Sequence, residues 1–519
     1  MKNVPVRKPK NTLLATASLV TFLSVAERGL GFLYRVALAR LIGAEGMGIY
    51  QVALSLFSVF LTIGTGGIPV TVSRFISKSK AENSPINERK SVTAGLLLSL
   101  ILTLPVALFL VAFPNAVSFL FADERCLPVF RILMLGLVFS SVFAVIRGSF
   151  WGNKNFLLPA VLEMAEEIVM VIAGILLLQN VSTFERGASL AGWAVVISYL
   201  VSFTLSTLCF FGKGGKLATP KGMLKPLFGS TLPITSVRAG GSLVNSAVAV
   251  LLPAMLVRCG IEKSRALQLF GAVSGMAMPV LFIPSTIIGA LSLVLVPELA
   301  EDFYRKNTKR LYQNIMRGIS VAFFVACFLT PFFYVLGKEL GMLAFSNVLA
   351  GECIRKGSPI LIPMSITMIT TGILNSLGFE KQTFSFYFIS ASSMLLCVLF
   401  LPRFIGVYAY VVGLGASFVV NAVCNLVFLA KKCPDLLRGA LKNHALVRSL
   451  CLALLCILPV SLVGAFISAL LCRVLGEFAS VACTLLCVAV LQLCTYCLIG
   501  IIPIRSALTK KQRKQAENN

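Results

Sequence analysis

The chain alternates apolar runs of about twenty residues with short polar segments, and the alternation continues almost to its end. A helical run of that length crosses a hydrocarbon core of ~30 Å. Fourteen such helices are predicted, over residues 13–41, 49–76, 91–113, 127–150, 157–178, 190–211, 232–257, 269–299, 319–336, 360–377, 384–401, 407–429, 450–471 and 481–502. No polar stretch between them is long enough for a soluble domain. The basic start "MKNVPVRKPK" precedes an apolar run without a small-residue cleavage site, which predicts an uncleaved first helix rather than a signal peptide. The expected class is an all-α polytopic membrane protein.

Composition agrees: 57% of residues are hydrophobic and 13% charged, against an apolar share of roughly 45–50% in soluble domains. The formal charge of +26 would suit a nucleic-acid partner if it were clustered. It follows the membrane instead. With the N-terminus inside, 31 of the 46 basic residues fall on inner segments and 11 on outer loops, the positive-inside pattern. Both termini are therefore expected in the cytoplasm of a multi-pass plasma-membrane protein. No nucleic acid is needed, whereas anionic membrane lipids are attracted by ~1 kcal/mol per basic residue near the surface. The 15 cysteines lie largely in apolar helices without metal-like spacing, and His444 is the one histidine. No metal site, cofactor or catalytic residue is predicted.

The second and eighth helices end alike, in "LTIGTGGIPVTVSRFISKSKAEN" and "STIIGALSLVLVPELAEDFYRKN", each with glycine, small residues, proline and a charged exit. This self-similarity predicts two six-helix lobes, 1–212 and 232–430, joined by a cytoplasmic linker 213–231. A loop 431–449, a last helix pair 450–502 and a cytoplasmic tail 503–519 complete the expected organisation.

The segments "RVALARLIGAEGMGIYQ", "GGIPVTVSRFIS", "IRGSFWGNKN", "LPITSVRAGG" and "GMAMPVLFIPSTIIGALSLVLVPELAE" follow one another through the first eight helices. In them the chain resembles the stage V sporulation protein B-like flippases. These belong to the polysaccharide-transporter branch of the multidrug/oligosaccharidyl-lipid/polysaccharide superfamily. The resemblance implies two lobes around a central cavity, alternating access, and movement of an undecaprenyl-diphosphate-linked saccharide from the inner to the outer leaflet. For the nearest relatives that lipid would be lipid II, a peptidoglycan precursor, for the spore cortex. The Glu-Gln-x-x-Arg pattern usual in the fifth helix reads here as Glu166, Glu167 and Met170, without its basic residue.

Charged residues inside the apolar runs need a reason, because each costs roughly 2.5–3.5 kcal/mol near the bilayer centre. Arg28 and Arg35 share one face of the first helix with Thr21, Ser24 and Gly31. Arg74 at the inner end of the second helix and Arg238 in the seventh extend a ladder of arginines. An arginine fork binds phosphate oxygens in two places and stays charged. These four are the candidate substrate contacts, with Arg28 and Arg238 expected to hold a diphosphate from opposite lobes. The alternative is a structural pair between Arg28 and a carboxylate, Glu27, Glu163, Glu166 or Glu167; for Arg35 it is snorkelling to the outer surface. Glu163, Glu166 and Glu167 share a helix face and could bind a coupling ion or neutralise the arginines. Glu27 points about 100° off the arginine face, toward another helix.

Gly67, Pro69, Pro279, Pro284 and Pro297 interrupt the second and eighth helices and are candidate hinges, close helix packing being the other reading. Two other functions fit these residues less well. An arginine-lined cavity disfavours an exporter of cationic drugs, the multidrug and toxic-compound extrusion type. A membrane glycosyltransferase or ligase needs clustered loop residues, and the longest outer loop, 337–357, offers only Glu339 and Glu352. A non-transporting membrane protein remains the third alternative.

Overall fold

The computed structural model describes residues 10–179, 181, 183–305, 307–433, 444–474 and 476–499. The predicted tail 503–519 and most of the loop 431–449 lie outside them.

α1 (Lys10–Thr65) runs through what the hydrophobic pattern predicts as two helices. A straight helix of 56 residues would be ~84 Å long, nearly three times the hydrocarbon thickness. Gly43 solves this with φ 67° and ψ −179°, a backbone state that suits glycine and turns the chain between two helical arms. Helix ends again at Thr65. Gly66 and Gly67 separate it from α2 (Ile68–Ala81), whose first turn contains Pro69. The predicted helix 49–76 is thus present in extent but broken, because glycine pairs weaken the helix and proline withholds an N–H.

α3 (Pro85–Ala112), α4 (Cys126–Gly152), α5 (Leu157–Leu178), α6 (Phe184–Gly212), α7 (Leu224–Arg258) and α8 (Lys263–Phe270) follow. A π-helical turn, Gly271–Ala277, leads into α9 (Met278–Leu281) and α10 (Ile283–Tyr304). Then come α11 (Thr308–Phe345), α12 (Val348–Gly357), α13 (Leu361–Ser376), α14 (Glu380–Phe400), α15 (Pro402–Ile405), α16 (Tyr408–Lys432), α17 (His444–Val474) and α18 (Glu477–Ile499). No strand occurs among the described residues. Among the described residues eleven helices are long and apolar enough to cross a membrane, or up to twelve with the pair bent by 42° around Phe282. The expected fourteen is reached only if Ser18–Ala81, 64 residues long, counts as two and α5, excluded by its three glutamates, is added.

Several helices outrun their apolar cores. α7 starts at Leu224, inside the expected linker, and the expected loop 337–357 is largely helical, in the end of α11 and in α12. Polar residues at helix ends leave the hydrocarbon without ending the backbone ladder. A cap stops α11 and starts α12: Ser346 is left-handed at φ 52°, and the Asn347 side chain accepts the Ala350 N–H at 2.9 Å.

By packing, the chain forms two units, Met1–Gly275 and Met276–Asn519. This division falls beyond the repeat-based linker, since α7 and α8 pack within the first unit. Glycines permit it: a Cβ on Gly67 would lie 2.7 Å from the Thr231 carbonyl oxygen, and Gly48 lies against the Leu267 backbone. The core of the first unit joins Ile68 and Val72 of α2, Leu98 of α3, Phe143 and Ile146 of α4, and Leu162 of α5.

In the second unit α10, α11, α13 and α16 share a core around Ile288, Ile315, Ile369 and Leu429. The last helix pair docks on α11, where Val335 and Leu336 meet Val460 and Val488. Pro331 has no N–H for the Cys327 carbonyl four residues earlier. Gln492 of α18, fully buried, donates its Nε2 to that carbonyl at 3.1 Å, and Tyr496 donates its hydroxyl to the Phe324 carbonyl at 2.9 Å. Side chains such as Phe22, Leu458 and Phe466 remain exposed, as a lipid-facing surface requires.

Candidate functional site

The central polar feature of the first unit is built on the α4–α5 hairpin. Its turn is tight: Lys154 is left-handed at φ 58°, the Asn155 N–H donates to the Phe150 carbonyl at 2.9 Å, and the Asn155 side chain accepts the Leu158 N–H at 3.3 Å. α4 and α5 leave this turn without packing along each other, each lying instead against α6, and long side chains reach across between them. Arg147 and Glu163, eight positions either side of Asn155, form an ion pair with Nη1 to Oε1 at 2.6 Å. The Arg147 guanidinium also lies 5.1 Å from the centre of the Trp151 ring and 5.9 Å from that of Phe143. Its charge is shared between a carboxylate and two ring faces.

α1 packs across this hairpin through glycines on both sides. A Cβ on Gly31 would lie 2.7 Å from Glu167 Oε1, so the glycine makes room for the carboxylate. In return Gly174 of α5 receives the Tyr34 ring. Glu167 interacts electrostatically with Arg35 and Glu27, and Arg35 also with Tyr50. Glu166 faces α6, against Ser202 and Tyr199, with its Oε2 buried and unpartnered. Glu27 is in the field of Glu163, Arg28 and Arg147. The four carboxylates are thus drawn together around Arg147 and Arg35.

The other arginines differ. Arg28 and Arg74 are exposed and form no ion pair or hydrogen bond among the described residues. Arg238 donates Nη1 to the Gly66 carbonyl at 2.6 Å, across the helix break. That carbonyl is left without its helical partner by the interruption at Gly66 and Gly67. The hinge candidates Gly67 and Pro69 therefore coincide with a true break. Pro279 lies in α9, Pro284 in the first turn of α10 and Pro297 inside α10.

A second cluster sits at the other end of α4. Arg125 binds Asp123 and Glu45, both at 2.7 Å, and Glu185 at 3.5 Å, while the Ser264 hydroxyl donates to Glu45 at 2.5 Å. Burial pushes the Asp123 carboxyl up, but hydrogen bonds from the Arg125 side chain and backbone, and its charge, outweigh this and hold it below the usual carboxylate value. No group of three or more His, Cys, Asp or Glu residues that could hold a metal occurs among the described residues.

Residues 13–303, which hold every residue of both clusters, match the model of the polysaccharide biosynthesis protein family, more than half of the chain. The chain belongs to that family. Among polysaccharide biosynthesis proteins and their relatives, it is similar to Stage V sporulation protein B of Bacillus subtilis (strain 168). The two are 24% identical over 368 residues, covering 68% of this chain and 70% of that protein. It is also 24% identical over 415 residues to Lipid II flippase MurJ of the same organism, covering 72% of this chain and 74% of that one. Its fold is similar to that of the solved structure of Lipid II flippase MurJ in an inward closed conformation, with a TM-score of 0.69 at 14% identity over 94% of this chain and 99% of the other. The protein is a multi-pass cell-membrane member of the family, with the fold of a transporter.

For this polysaccharide biosynthesis protein the main correction concerns pairing. Glu163, one of the alternative partners offered for Arg28, pairs instead with Arg147, a residue of the predicted helix 127–150 outside the arginine ladder. Glu163 of the fifth helix thus takes its basic partner from the fourth. The alternative structural pairing of Arg28 is no closer than an electrostatic interaction with Glu27, and Arg28 forms no ion pair or hydrogen bond among the described residues.

Proposed function

We propose that the protein is a flippase that moves an undecaprenyl-diphosphate-linked saccharide, a lipid II-like peptidoglycan precursor, from the inner to the outer leaflet by alternating access. Spore cortex assembly is the process this reading favours, and Stage V sporulation protein B and Lipid II flippase MurJ support it as relatives. The observation that carries it is Arg28, exposed within a membrane span and without an ion pair or hydrogen bond among the described residues, while Glu163 is held by Arg147. An unpaired arginine within a membrane span is costly unless an anion meets it, and a diphosphate offers bidentate oxygens.

In this reading Arg28 and Arg74 contact the headgroup. Arg238 joins them when the break at Gly66 and Gly67 changes geometry and releases the carbonyl it holds. Arg35 and Arg147 serve the site indirectly, by neutralising Glu167 and Glu163, while Glu166 and Glu27 provide the groups for a coupling ion. Gly67, Pro69, Pro279, Pro284 and Pro297 would bend during the cycle, and the lobes 1–212 and 232–430 would be its moving parts. Both termini would face the cytoplasm. The chemistry is binding and release, with no bond made or broken.

The test is leaflet transfer of a fluorescent undecaprenyl-diphosphate saccharide in proteoliposomes carrying Arg28→Ala or Arg238→Ala, with insertion checked by protease accessibility. Each substitution is expected to slow transfer at least tenfold, since a charge-assisted contact is worth ~1.5–3 kcal/mol. Wild-type rates in both variants would refute the assignment. Melting temperature separates the two roles: Arg238→Ala should also lower it by orphaning the Gly66 carbonyl, whereas Arg28→Ala should not.

A further inference from the structure

The start of α3, the end of α4 and the end of α6 meet at one end of the first unit, and the connection 213–223 folds over them. Gly214, at φ 78°, turns the chain back, the Gly215 N–H donates to the Phe210 carbonyl at 2.9 Å, and the Ala218 N–H donates to the Thr93 hydroxyl of α3 at 3.1 Å. These bonds fix the connection and enclose a cleft of about 390 Å³.

The cleft presents two chemistries. Arg89, Lys213 and Lys216 line it with three positive charges against the single carboxylate of Glu88. None of the three cations forms an ion pair among the described residues. Phe150 and Phe210 supply an apolar wall, with the Lys213 ammonium 5.9 Å from the centre of the Phe150 ring. Uncompensated cations held at converging helix ends repel one another, and a shared anion removes that cost. On the same two helices Ile101 of α3 is 62% exposed and Leu208 of α6 64%, a surface suited to acyl chains.

We propose that this cleft binds the phosphate of an anionic lipid headgroup, with Arg89, Lys213 and Lys216 on the phosphate oxygens and the acyl chains beside α3 and α6. The apolar wall and the exposed aliphatic surface favour a lipid over a free anion, for which they would have no use. The site stands apart from the transport reading: its residues belong to neither the arginine ladder nor the glutamate cluster.

Native mass spectrometry of the full-length protein, titrated with phosphatidylglycerol, phosphatidylcholine or inorganic phosphate, tests this. The triple variant Arg89→Gln, Lys213→Gln, Lys216→Gln should bind phosphatidylglycerol roughly a hundredfold more weakly than the wild type. A control of equal charge, Lys78→Gln, Lys80→Gln, Lys309→Gln, should not. Unchanged affinity in the cleft variant, or an equal loss in the control, would overturn the proposal. On the wild-type protein, phosphatidylglycerol should protect Lys213 and Lys216 from reductive methylation while phosphatidylcholine does not, so the test survives a variant that fails to fold. Equal protection by inorganic phosphate alone would refute a lipid ligand.

Discussion

The Arg147–Glu163 pair gives the sharpest quantitative test of the charge architecture. Unit charges about 4 Å apart attract by ~4 kcal/mol at an effective dielectric near 20, and removing both ions from water cancels much of this. Each side chain is 26% exposed, which places the pair between a surface bridge worth ~0–1 kcal/mol and a buried one whose disruption costs ~3–5 kcal/mol. Arg147→Leu leaves Glu163 beside Glu27 and Glu166 with no cation in contact, and should cost ~2–3 kcal/mol. At ~2–4 °C per kcal/mol for a unit of this size, the melting temperature should fall by roughly 4–12 °C. Glu163→Gln alone should cost less, ~1–2 kcal/mol, because Arg147 keeps its place on the Trp151 and Phe143 rings. The double variant should be less damaged than the two losses combined, by ~1–2 kcal/mol. The assay is a double-mutant cycle by thermal unfolding in detergent, with tryptophan emission as a local probe because Trp151 contacts the arginine. Additivity within ~0.5 kcal/mol would show that the two charges do not depend on each other, and the reasoning would fail.

Two further outcomes follow from the same geometry. Gln492→Leu removes the donor that serves the carbonyl orphaned by Pro331, and should destabilise the docking of α17 and α18 by ~1–3 kcal/mol, read as earlier proteolysis of the last helix pair at unchanged expression; wild-type resistance would contradict it. Asp123 has a folded-state pKa below its unfolded value, so its contribution is present above about pH 4 and is lost as pH falls through the folded value. The stability gap between wild type and Asp123→Asn should therefore be full at pH 7 and shrink below pH 4, and a gap that widens on acidification would refute the assignment.

Much of this fold is written in the apolar runs, because a bilayer admits little besides helices of a fixed length. The breaks are written too: "GTGGIP" carries its interruption in its glycines and proline, and Gly43 lies where the pattern predicts a turn. Helix ends are less legible, since polar residues beyond the hydrocarbon signal loop and exposed helix alike, which is why α7 begins earlier than expected and α12 stands where a loop is expected. The arginine ladder was legible as composition but not as contact. Arg238 lies on the Gly66 carbonyl, 172 residues earlier in sequence, because a helix break leaves an acceptor that no sequence pattern announces. Gln492 answers a vacancy created by a proline in a distant helix, for the same reason. The Arg147–Glu163 pair joins two helices that no pattern within either one brings together.

Whether this protein moves a diphosphate-linked saccharide lipid between leaflets is decided by reconstitution of the wild-type chain. Proteoliposomes would be loaded with fluorescent undecaprenyl-diphosphate saccharide on one leaflet, and the fraction reaching the other followed by reducing-agent quenching under imposed proton or sodium gradients. A flippase of this kind should give protein-dependent transfer of this lipid well above empty liposomes. Transfer no faster than in empty liposomes under any gradient, from protein shown to be folded and inserted, would contradict it.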